Sequence, residues 1–459
     1  MATNVPRLTG PRALTTLFDL GFSSIAAGVL ARRRPVIRLL EGMQADERAV
    51  KRIHHLRGEF GPGPVEVVIP GRRMVVIVDP HDVARVLDGS PAPFHPANLE
   101  KRKALQWFQP HGVLISRGPI REQRRALNEA ALQTDSEIHR LADAFAAVIA
   151  EEADRIAEES LRRGNLDSSH FMTAWWRLVR RLVLGDDAAD EDTITDQLRR
   201  LRKVGNWSFL AIPHRRLREQ FTERLYTYAE VPQPGTLLHA VSEIPVNGAV
   251  DPIGQVPHWL FAFDAAGMAS MRTLALISTH HEEYARALDD STDPNVIAPR
   301  AFLRSCVLES VRLWPTTPTI LRDTTEDTQW RSGADEFTIK GGAAVMVVVP
   351  AFHRDENMLP FAHDFAPDIW LDGRAQQHPA LVPFSAGPAE CPARNLVLFV
   401  ASTALAQLLS RVQLRLQSTP TLSPGKPLPM TLNQLTLDFA VDPLRQTTSA
   451  TRTSSSTRT

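Results

Sequence analysis

The chain has 459 residues, with 52 basic and 52 acidic side chains, so its formal net charge is zero. A balanced chain lacks the basic excess by which proteins neutralise nucleic-acid phosphates. Its length allows a large core without disulfide or metal cross-links. Its two cysteines, Cys306 and Cys391, are compatible with a reducing compartment. We therefore expect a cytoplasmic protein with no nucleic-acid partner.

The N-terminal apolar run, residues 17–30, is too short to span a membrane and contains Asp19. Basic residues 32–34 follow the run, whereas a signal peptide has its basic residues in front. No transmembrane span is predicted. Packing on the protein's own surface is the favoured interpretation, and peripheral membrane contact through the N-terminus is the alternative.

Apolar periodicity then predicts helices over residues 46–56, 81–87, 121–132, 138–162, 173–184, 256–281 and 298–314. Runs rich in β-branched residues predict strands at 65–69, 74–78, 319–322, 336–340 and 343–349. Proline and glycine predict loops at 61–64, 90–116 and 232–252. The pattern indicates a mainly α fold with a small β component.

A lone thiol, Cys391, lies at the end of a Gly/Pro-rich turn, residues 383–393, directly before an apolar helix. The free N–H groups and positive dipole end of a helix stabilise a sulfur anion, which suits an axial ligand of haem iron. Most lone cysteines are buried and inert. The turn by itself leaves both interpretations open.

Two further segments occur upstream in a fixed order. One is Glu309-Ser310-Val311-Arg312, and the other is Ala266-Gly267-Met268-Ala269-Ser270. Together with Phe384, Gly387 and Cys391, which follow a Phe-x-x-Gly-x-x-x-Cys spacing, they resemble the cytochrome P-450 superfamily, the haem-thiolate monooxygenases, of the soluble bacterial type. The Glu-x-x-Arg pattern alone is weak, whereas the ordered set of three is specific.

The resemblance covers residues from about 61 to about 444 and implies a triangular helical prism around haem b. In it, Cys391 would be the axial thiolate, which favours cleavage of a bound O–O bond. Phe384 would shield the sulfur from water. Gly387 would let the backbone turn close to the flat cofactor.

Length alone suggests about three domains of roughly 150 residues, but the three motifs must converge on one site. We therefore expect one haem domain, residues 61–445. An N-terminal extension, residues 1–60, precedes it and is partly helical. A Ser/Thr/Arg-rich tail, residues 446–459, is expected to be disordered.

The resemblance also implies cations that pair with the haem propionates. Arg124 matches the arginine of the family's third helix, and Arg322 matches an arginine in the strand after Glu-x-x-Arg. A solvated helix face is the alternative for Arg124, and Arg125 is expected on the surface. Two positions depart from the pattern: Ala389 replaces a propionate-binding Arg or His, and Ala393 replaces a glycine.

Glu309 and Arg312 lie three residues apart, so they share a helix face. In the family a later arginine completes this structural pair, but Ile369 occupies its position here. His353 and Arg354 are candidates for the missing partner. An exposed ion pair of little energetic value is the alternative.

The family's central helix reads Ala-Gly-x-acid-Thr, and its acid and hydroxyl relay protons to iron-bound dioxygen. Here Ala269 replaces the acid and Ser270 the threonine, while Asp264 lies five residues before Ala269. Ala266 and Gly267 would thin the helix wall and leave room for dioxygen. A packing glycine is the alternative, and either way a close approach is expected at Gly267.

The first functional hypothesis is a monooxygenase that inserts one atom of dioxygen into a small apolar substrate. A ferredoxin or flavodoxin-type donor would deliver electrons at a basic face formed by Arg124, Arg125 and Arg394. The second keeps haem but uses peroxide or substrate-assisted chemistry, because Ala269 is not an acid. The third is a haem-binding protein without turnover. Substrate contacts are expected from loops at residues 94–115 and 204–234.

Overall fold

A computed structural model describes residues 5–28, 30–207, 209, 214–420 and 422–444 of the protein. Its helices are α1 (Gly10–Ala27), α2 (Arg34–Gly42), α3 (Ala45–Phe60), α4 (Pro80–Asp88), α5 (Leu99–Leu105), α6 (Pro119–Leu132), α7 (Ala142–Arg163), α8 (Ser168–Leu184), α9 (Asp192–Gly205), α10 (Arg215–Glu230), α11 (Leu237–Ser242), α12 (Val256–Ile277), α13 (His281–Asp289), α14 (Ala301–Leu313), α15 (Pro350–His353), α16 (Arg374–Gln377) and α17 (Arg394–Leu409).

The strands are β1 (Arg7–Leu8), β2 (Val65–Ile69), β3 (Arg72–Val76), β4 (Phe94–His95), β5 (Asn165–Asp167), β6 (Thr319–Thr324), β7 (Thr328–Ser332), β8 (Asp335–Ile339), β9 (Ala344–Val348), β10 (Val412–Leu416) and β11 (Asp438–Pro443). Over the described residues they form a six-stranded sheet in the order β1-β2-β3-β9-β6-β4, a three-stranded sheet β10-β11-β5 and the hairpin β7-β8. The predicted fold class, mainly α with a small β component, is confirmed.

The main core lies between helices that are apolar on nearly every face. α12, α14 and α17 each bury almost their whole length, because a helix that is hydrophobic all round must be surrounded by protein. Cys306 of α14 is fully buried in this core. The sheet is covered on one face by α4 and on the other by α1 and α3.

Strand β9 lies in the middle of the six-stranded sheet. It pairs in parallel with β3 and antiparallel with β6, and every one of its side chains is buried. The unbroken apolar run predicted at 343–349 has this physical cause, since a strand covered on both faces has no polar side. β9 and β6 together carry the chain from α14 towards the loop that contains Cys391.

Two predicted loops contain short helices. Asn98 accepts a hydrogen bond from the Lys101 backbone at the start of α5, and Thr236 does the same for His239 at the start of α11. These capping side chains nucleate helices that apolar periodicity does not reveal in so few residues. The region 204–234, expected as a substrate loop, contains the sixteen-residue helix α10.

The N-terminal segment packs against the rest of the protein. β1 pairs with β2, α1 packs on α3, and Arg57 of α3 donates to Asp355 at 2.8 Å. α1 also leaves an apolar stripe exposed, formed by Leu14, Phe18 and Ile25. The division into 1–60, 61–445 and 446–459 stays a prediction, and residues 446–459 lie outside the described residues.

A helix of sufficient length and hydropathy to cross a membrane occurs once in the described ranges, at Ile253–Ile277. This segment contains α12, and 78% of its most apolar window is buried inside the protein. Its apolar character therefore matches that of a core helix.

Glu309 and Arg312 are fully buried, and each is completely satisfied. The two guanidinium–carboxylate bonds measure 2.8 and 2.6 Å. Glu309 also accepts the Ala366 backbone N–H and the Trp370 indole N–H, both at 2.9 Å. The remaining Arg312 donors bind backbone carbonyls of His353, Phe361, Ala362 and Asp364.

The completing partner of this pair is therefore the Trp370 side chain, one residue after Ile369. Of the two predicted candidates, His353 is also a hydrogen-bond partner of the pair, since its carbonyl accepts from Arg312, whereas Arg354 binds elsewhere, including the carbonyl of Leu428. A neutral indole suffices because Arg312 already balances the carboxylate charge.

Trp370→Phe removes the indole donor and leaves a buried carboxylate oxygen one hydrogen bond short. We expect the free energy of unfolding to fall by about 2 kcal/mol, the usual cost for a bond to a charged group. The measurement is the urea unfolding midpoint, with Trp207→Phe as the control because Trp207 is 57% exposed. Equal midpoints for the two variants would show that the indole bond is dispensable.

Candidate functional site

Cys391 lies in a closed backbone loop directly before α17. Its N–H donates to the Phe384 carbonyl at 3.0 Å, and its own carbonyl accepts from the Arg394 N–H at 3.2 Å. The thiol is free and partly buried. The loop therefore presents one sulfur at the amino end of a long core helix, as the sequence predicts.

Burial raises the pKa of the Cys391 thiol to about 11, since a thiolate is poorly solvated there. The Ala393 backbone N–H and the Arg125 guanidinium act in the opposite direction. The sulfur is thus a thiol at neutral pH until a metal cation replaces its proton.

Gly387 is required by the neighbouring helix α4. Its φ is +65°, and a Cβ there would lie 2.5 Å from the carbonyl oxygen of Leu87. The positive φ agrees with the turn predicted at Gly387, and the close contact with Leu87 adds a second reason for glycine, while its approach to haem stays a prediction. The loop is fixed against the end of α4 before any ligand is considered.

Arg125 of α6 binds the same loop and is not on the surface as expected. Its Nη1 donates to the Glu390 carbonyl at 2.6 Å, and its side chain is 14% exposed. The guanidinium supports the peptide that leads into Cys391 and lies close enough to affect the thiol.

The two predicted propionate-binding arginines lie on elements that contact this loop, Arg124 on α6 and Arg322 on β6. Arg124 donates to the Ser116 hydroxyl at 2.8 Å, but its Nε is buried without a partner. Arg322 of β6 is buried and makes longer bonds, 3.2 Å to Ser90 and 3.4 Å to Ser385 of the Cys391 loop. Burial lowers the pKa of both guanidinium groups, that of Arg322 to about 10.

A third arginine was missed. Arg121 is 7% exposed and has no hydrogen bond or ion pair to any described residue, and its Nε is buried. Burial and the charge of Arg121 lower the pKa of Arg322. The sequence contained a signal for Arg121, because residues 121, 124, 125 and 128 have the spacing of one helix face.

On α12 the Ser270 hydroxyl is fully buried and donates to the Ala266 carbonyl at 3.0 Å. The close approach expected at Gly267 is present, since a Cβ there would lie 2.7 Å from Trp175 of α8. The Trp175 indole donates to the Phe263 carbonyl at 2.8 Å. Trp175 therefore fills the space at Gly267, which corrects the idea that this glycine leaves room for dioxygen.

No carboxylate among the described residues hydrogen-bonds to Ser270. Asp264 pairs with Arg202 of α9, which also donates to the Leu30 carbonyl at 2.8 Å. Asp264 thus faces α9 and the N-terminal segment. The acid of the family's proton relay is absent from its usual place and is not supplied by Asp264.

Contacts between elements join these residues into one region. Asn128 of α6 accepts from the Trp259 indole of α12 at 2.8 Å, so α6 connects α12 to the Cys391 loop. Arg322 links β6 to the same loop through Ser385. The predicted residues thus lie on elements that contact one another.

The family model described as "Cytochrome P450" matches residues 271–438. That range contains Glu309, Arg312, Arg322 and the Cys391 loop, while α6 and residues 266–270 precede it. Over residues 271–438 the chain therefore resembles the cytochrome P450 superfamily.

Curated relatives of this chain include Cytochrome P450 4g15 of Drosophila melanogaster, which is 34% identical over 110 residues, 24% of this chain and 19% of the relative. The Bacillus subtilis bifunctional cytochrome P450/NADPH–P450 reductase 2 is 30% identical over 158 residues, 32% of this chain and 15% of the relative. The matched regions thus span about a fifth of these relatives' length.

Two solved structures show the same fold over most of the chain. Cyanobacterial CYP120A1, solved with bound retinoic acid, has a TM-score of 0.72 and 15% identity, and the match covers 97% of this chain and 100% of that one. A zebra fish cytochrome P450, solved with abiraterone, has a TM-score of 0.67 and 17% identity, over 86% of this chain and 99% of that one.

Members of the superfamily carry haem, and the residues present fit it. Haem offers iron to a cysteine thiolate and two propionates to cations. Cys391 is a free thiol held at the amino end of α17, and Ala393 directs its N–H at the sulfur although it is not glycine. Arg121 and Arg124 have buried Nε groups without partners, which the propionates would satisfy. Cys391 would hold the iron, with Arg124 and Arg322 near the propionates.

Gly387→Ala places a methyl group against the Leu87 carbonyl and strains a backbone with positive φ. We expect a loss of more than ~2 kcal/mol in unfolding free energy, because backbone strain costs about 1–2 kcal/mol and the clash adds to it. The measurement is thermal unfolding of the haem-containing protein. Gly71→Ala is the matched control, since Gly71 has φ +78° and open space around it. An equal loss in both variants would assign the effect to strain alone.

Proposed function

We propose that this protein is a haem-thiolate monooxygenase that inserts one atom of dioxygen into a small apolar organic substrate. The observation that carries the proposal is the Cys391 loop, held between the end of α4, Arg125 and Arg322 with its thiol at the start of α17. Haem bound there supplies the iron that activates oxygen.

The chain's own residues would hold and tune that centre. Arg125 and the Ala393 N–H reduce the electrostatic cost of a thiolate at Cys391. Phe384 packs against the main core next to the sulfur and limits access of water. Ser270 holds a hydroxyl proton on the wall of α12, where it can donate to a polar atom above the haem.

An apolar substrate is supported by the aromatic side chains between α12 and the segment before α6. Phe108 and Phe261 meet edge to face, with ring centroids 5.6 Å apart, and His258 contacts Phe261 in the same way. Burial lowers the pKa of His258 to about 4, so the ring is neutral at pH 7. Such a wall favours apolar ligands with few polar groups.

For the electron donor we propose a ferredoxin or flavodoxin-type protein that docks beside the Cys391 loop. Arg394 supports this, since it is exposed at the start of α17, although it contacts Glu390 at 3.2 Å. Arg124 and Arg125 are largely enclosed and contribute less to a basic face than the sequence implies.

We propose a cytoplasmic location with peripheral membrane contact through α1. The exposed apolar stripe of Leu14, Phe18 and Ile25 supports the contact, because an apolar helix face beside basic residues binds lipid surfaces. Cosedimentation with lipid vesicles measures it, and a protein that stays entirely in the supernatant would contradict it.

A second candidate keeps haem but uses peroxide or substrate-assisted chemistry. The engagement of Asp264 by Arg202 favours it, because no carboxylate is left to feed Ser270. Water can rebuild such a relay, which is why the monooxygenase remains the first proposal. A haem protein without turnover is the remaining alternative, and substrates that fail to change the ferric spin state would support it.

Cys391→Ser replaces the proposed thiolate by a weak neutral ligand. We expect the reduced carbon monoxide complex to lose the long-wavelength Soret band that a trans thiolate produces, while the Cys306→Ser control keeps it. Absorbance spectra of the reduced proteins with carbon monoxide provide the measurement. A wild-type protein that folds fully and does not bind hemin would refute the proposal.

Ser270→Ala removes the one hydroxyl of the predicted relay. With dioxygen and a reductase we expect product per reducing equivalent to fall roughly tenfold, less than the ~10²–10⁴ of full general acid catalysis because water can substitute. Peroxide release should rise correspondingly.

Thr273→Val is the control for Ser270→Ala. Thr273 makes the same kind of hydroxyl–carbonyl bond, to Ala269 at 2.8 Å, one turn further along α12. Turnover of the wild type with peroxide, and none with dioxygen and a reductase, would select the second candidate.

A further inference from the structure

Arg121 is a buried cation without a counterion. The whole residue is 7% exposed, its Nε is buried, and its side chain makes no hydrogen bond, ion pair or aromatic contact to any residue within the described ranges. A buried charge without a partner costs several kcal/mol. Natural sequences retain such a group when something outside the chain pairs with it.

The surroundings of Arg121 supply more positive charge. Its charge lowers the pKa of Arg322 and of His95, the latter to about 4 together with burial and Arg117. Lys101 lies in the same region, and burial and Arg322 lower its pKa. His95 of β4 pairs with Asp323 of β6, next to Arg322, and Lys101 donates to the Leu321 carbonyl at 3.0 Å.

The acids nearby are already engaged. Asp323 accepts from Arg72 at 2.7 Å and from Arg117 at 3.0 Å. Glu100 accepts from Arg72 at 2.9 Å, and Glu129 pairs with Arg125. Glu122 on the same helix is exposed to solvent. Glu122 and Glu129 attract the Arg121 charge, but no carboxylate among the described residues forms a hydrogen bond or ion pair with its guanidinium.

The position of Arg121 points towards the haem site. Arg121, Arg124 and Arg125 share one face of α6. On that face Arg125 binds the Glu390 carbonyl, next to Cys391, and Arg124 keeps its own Nε unpaired. An anion that reaches Arg121 and Arg322 would also lie beside Ser385 of the Cys391 loop.

We propose that Arg121 binds one propionate of the haem and replaces the cation that the family has at the position of Ala389. This inference rests on the proposed function, because it requires haem on Cys391. Arg121 and Arg322 would hold one carboxylate and Arg124 would serve the other, so the loss of a cation from the Cys391 loop is compensated from α6.

The test compares full-length protein loaded with hemin or with hemin dimethyl ester, whose propionates carry no charge. The variant is Arg121→Gln. The control is Arg102→Gln, which removes an exposed cation from the same neighbourhood, since Arg102 also affects His95. The readout is the rate of haem transfer to excess apomyoglobin, followed by absorbance.

With hemin we expect Arg121→Gln to release the cofactor at least tenfold faster than wild type and Arg102→Gln to release it at the wild-type rate. With the dimethyl ester we expect wild type and Arg121→Gln to differ by less than twofold. This cycle isolates the contact between Arg121 and the propionate. Equal effects of Arg121→Gln on both cofactors would overturn the inference and assign Arg121 a structural role.

A second variant tests the replacement itself. Ala389→Arg in the Arg121→Gln background should restore at least half of the lost hemin retention, on a logarithmic scale, and leave ester retention unchanged. No restoration would refute the exchange of cations between the two positions. The carbon monoxide spectrum distinguishes failure of this inference from failure of the proposed function. If wild type shows the thiolate band but Arg121→Gln releases hemin at the wild-type rate, only this inference is refuted. If wild type lacks the band, the proposed function is refuted.

Discussion

The loop that ends at Cys391 is the constraint on which the site depends. Three separate elements fix it: the end of α4 leaves no room for a Cβ at Gly387, Arg125 of α6 binds the Glu390 carbonyl, and Arg322 of β6 reaches Ser385. Each contact is made with loop backbone or with a residue that is not the ligand. The sulfur is therefore positioned by the fold, and its own side chain is left free for a metal. A site supported in this way keeps its geometry without the cofactor's help.

Buried charged side chains in this protein are of two kinds: some are fully hydrogen-bonded within the chain, and others keep donors without a partner. The Glu309–Arg312 pair is fully buried and fully satisfied, with Trp370 taking the place of a second arginine. The arginines near the Cys391 loop are buried as well, yet Arg121 and Arg124 retain unpaired donors. The first arrangement is complete within the chain and serves the fold. The second is incomplete within the chain and indicates an anionic ligand, which haem supplies through its propionates.

Helix α12 has the glycine of the family's central helix at Gly267 but lacks the acid of the family's proton relay at Ala269. Gly267 admits the Trp175 indole, which binds the Phe263 carbonyl, so α8 and α12 lie unusually close. Ser270 retains a hydroxyl on the helix, whereas Ala269 offers no acid and Asp264 is held by Arg202. Under the proposed function, oxygen activation would therefore draw its protons from water or substrate. Whether the protein would use dioxygen or peroxide therefore depends on the residues in one turn of α12.

The sequence by itself determined the resemblance to the cytochrome P450 superfamily, the mainly α fold, the position of Cys391 before an apolar helix and the strand β9, because these rest on local spacing and continuous apolar runs. It also identified the departures at Ala269, Ile369 and Ala389. Only the tertiary structure decided which partners these elements have: Trp370 completes the Glu309 pair, Trp175 packs against Gly267, and the Nε of Arg121 is buried without a partner among the described residues. The physical reason is that a local sequence pattern shows which face of a helix or strand a residue occupies. A partner that is distant in sequence is fixed only when packing brings two elements together. Packing then leaves each buried polar group either hydrogen-bonded within the chain or available to a ligand.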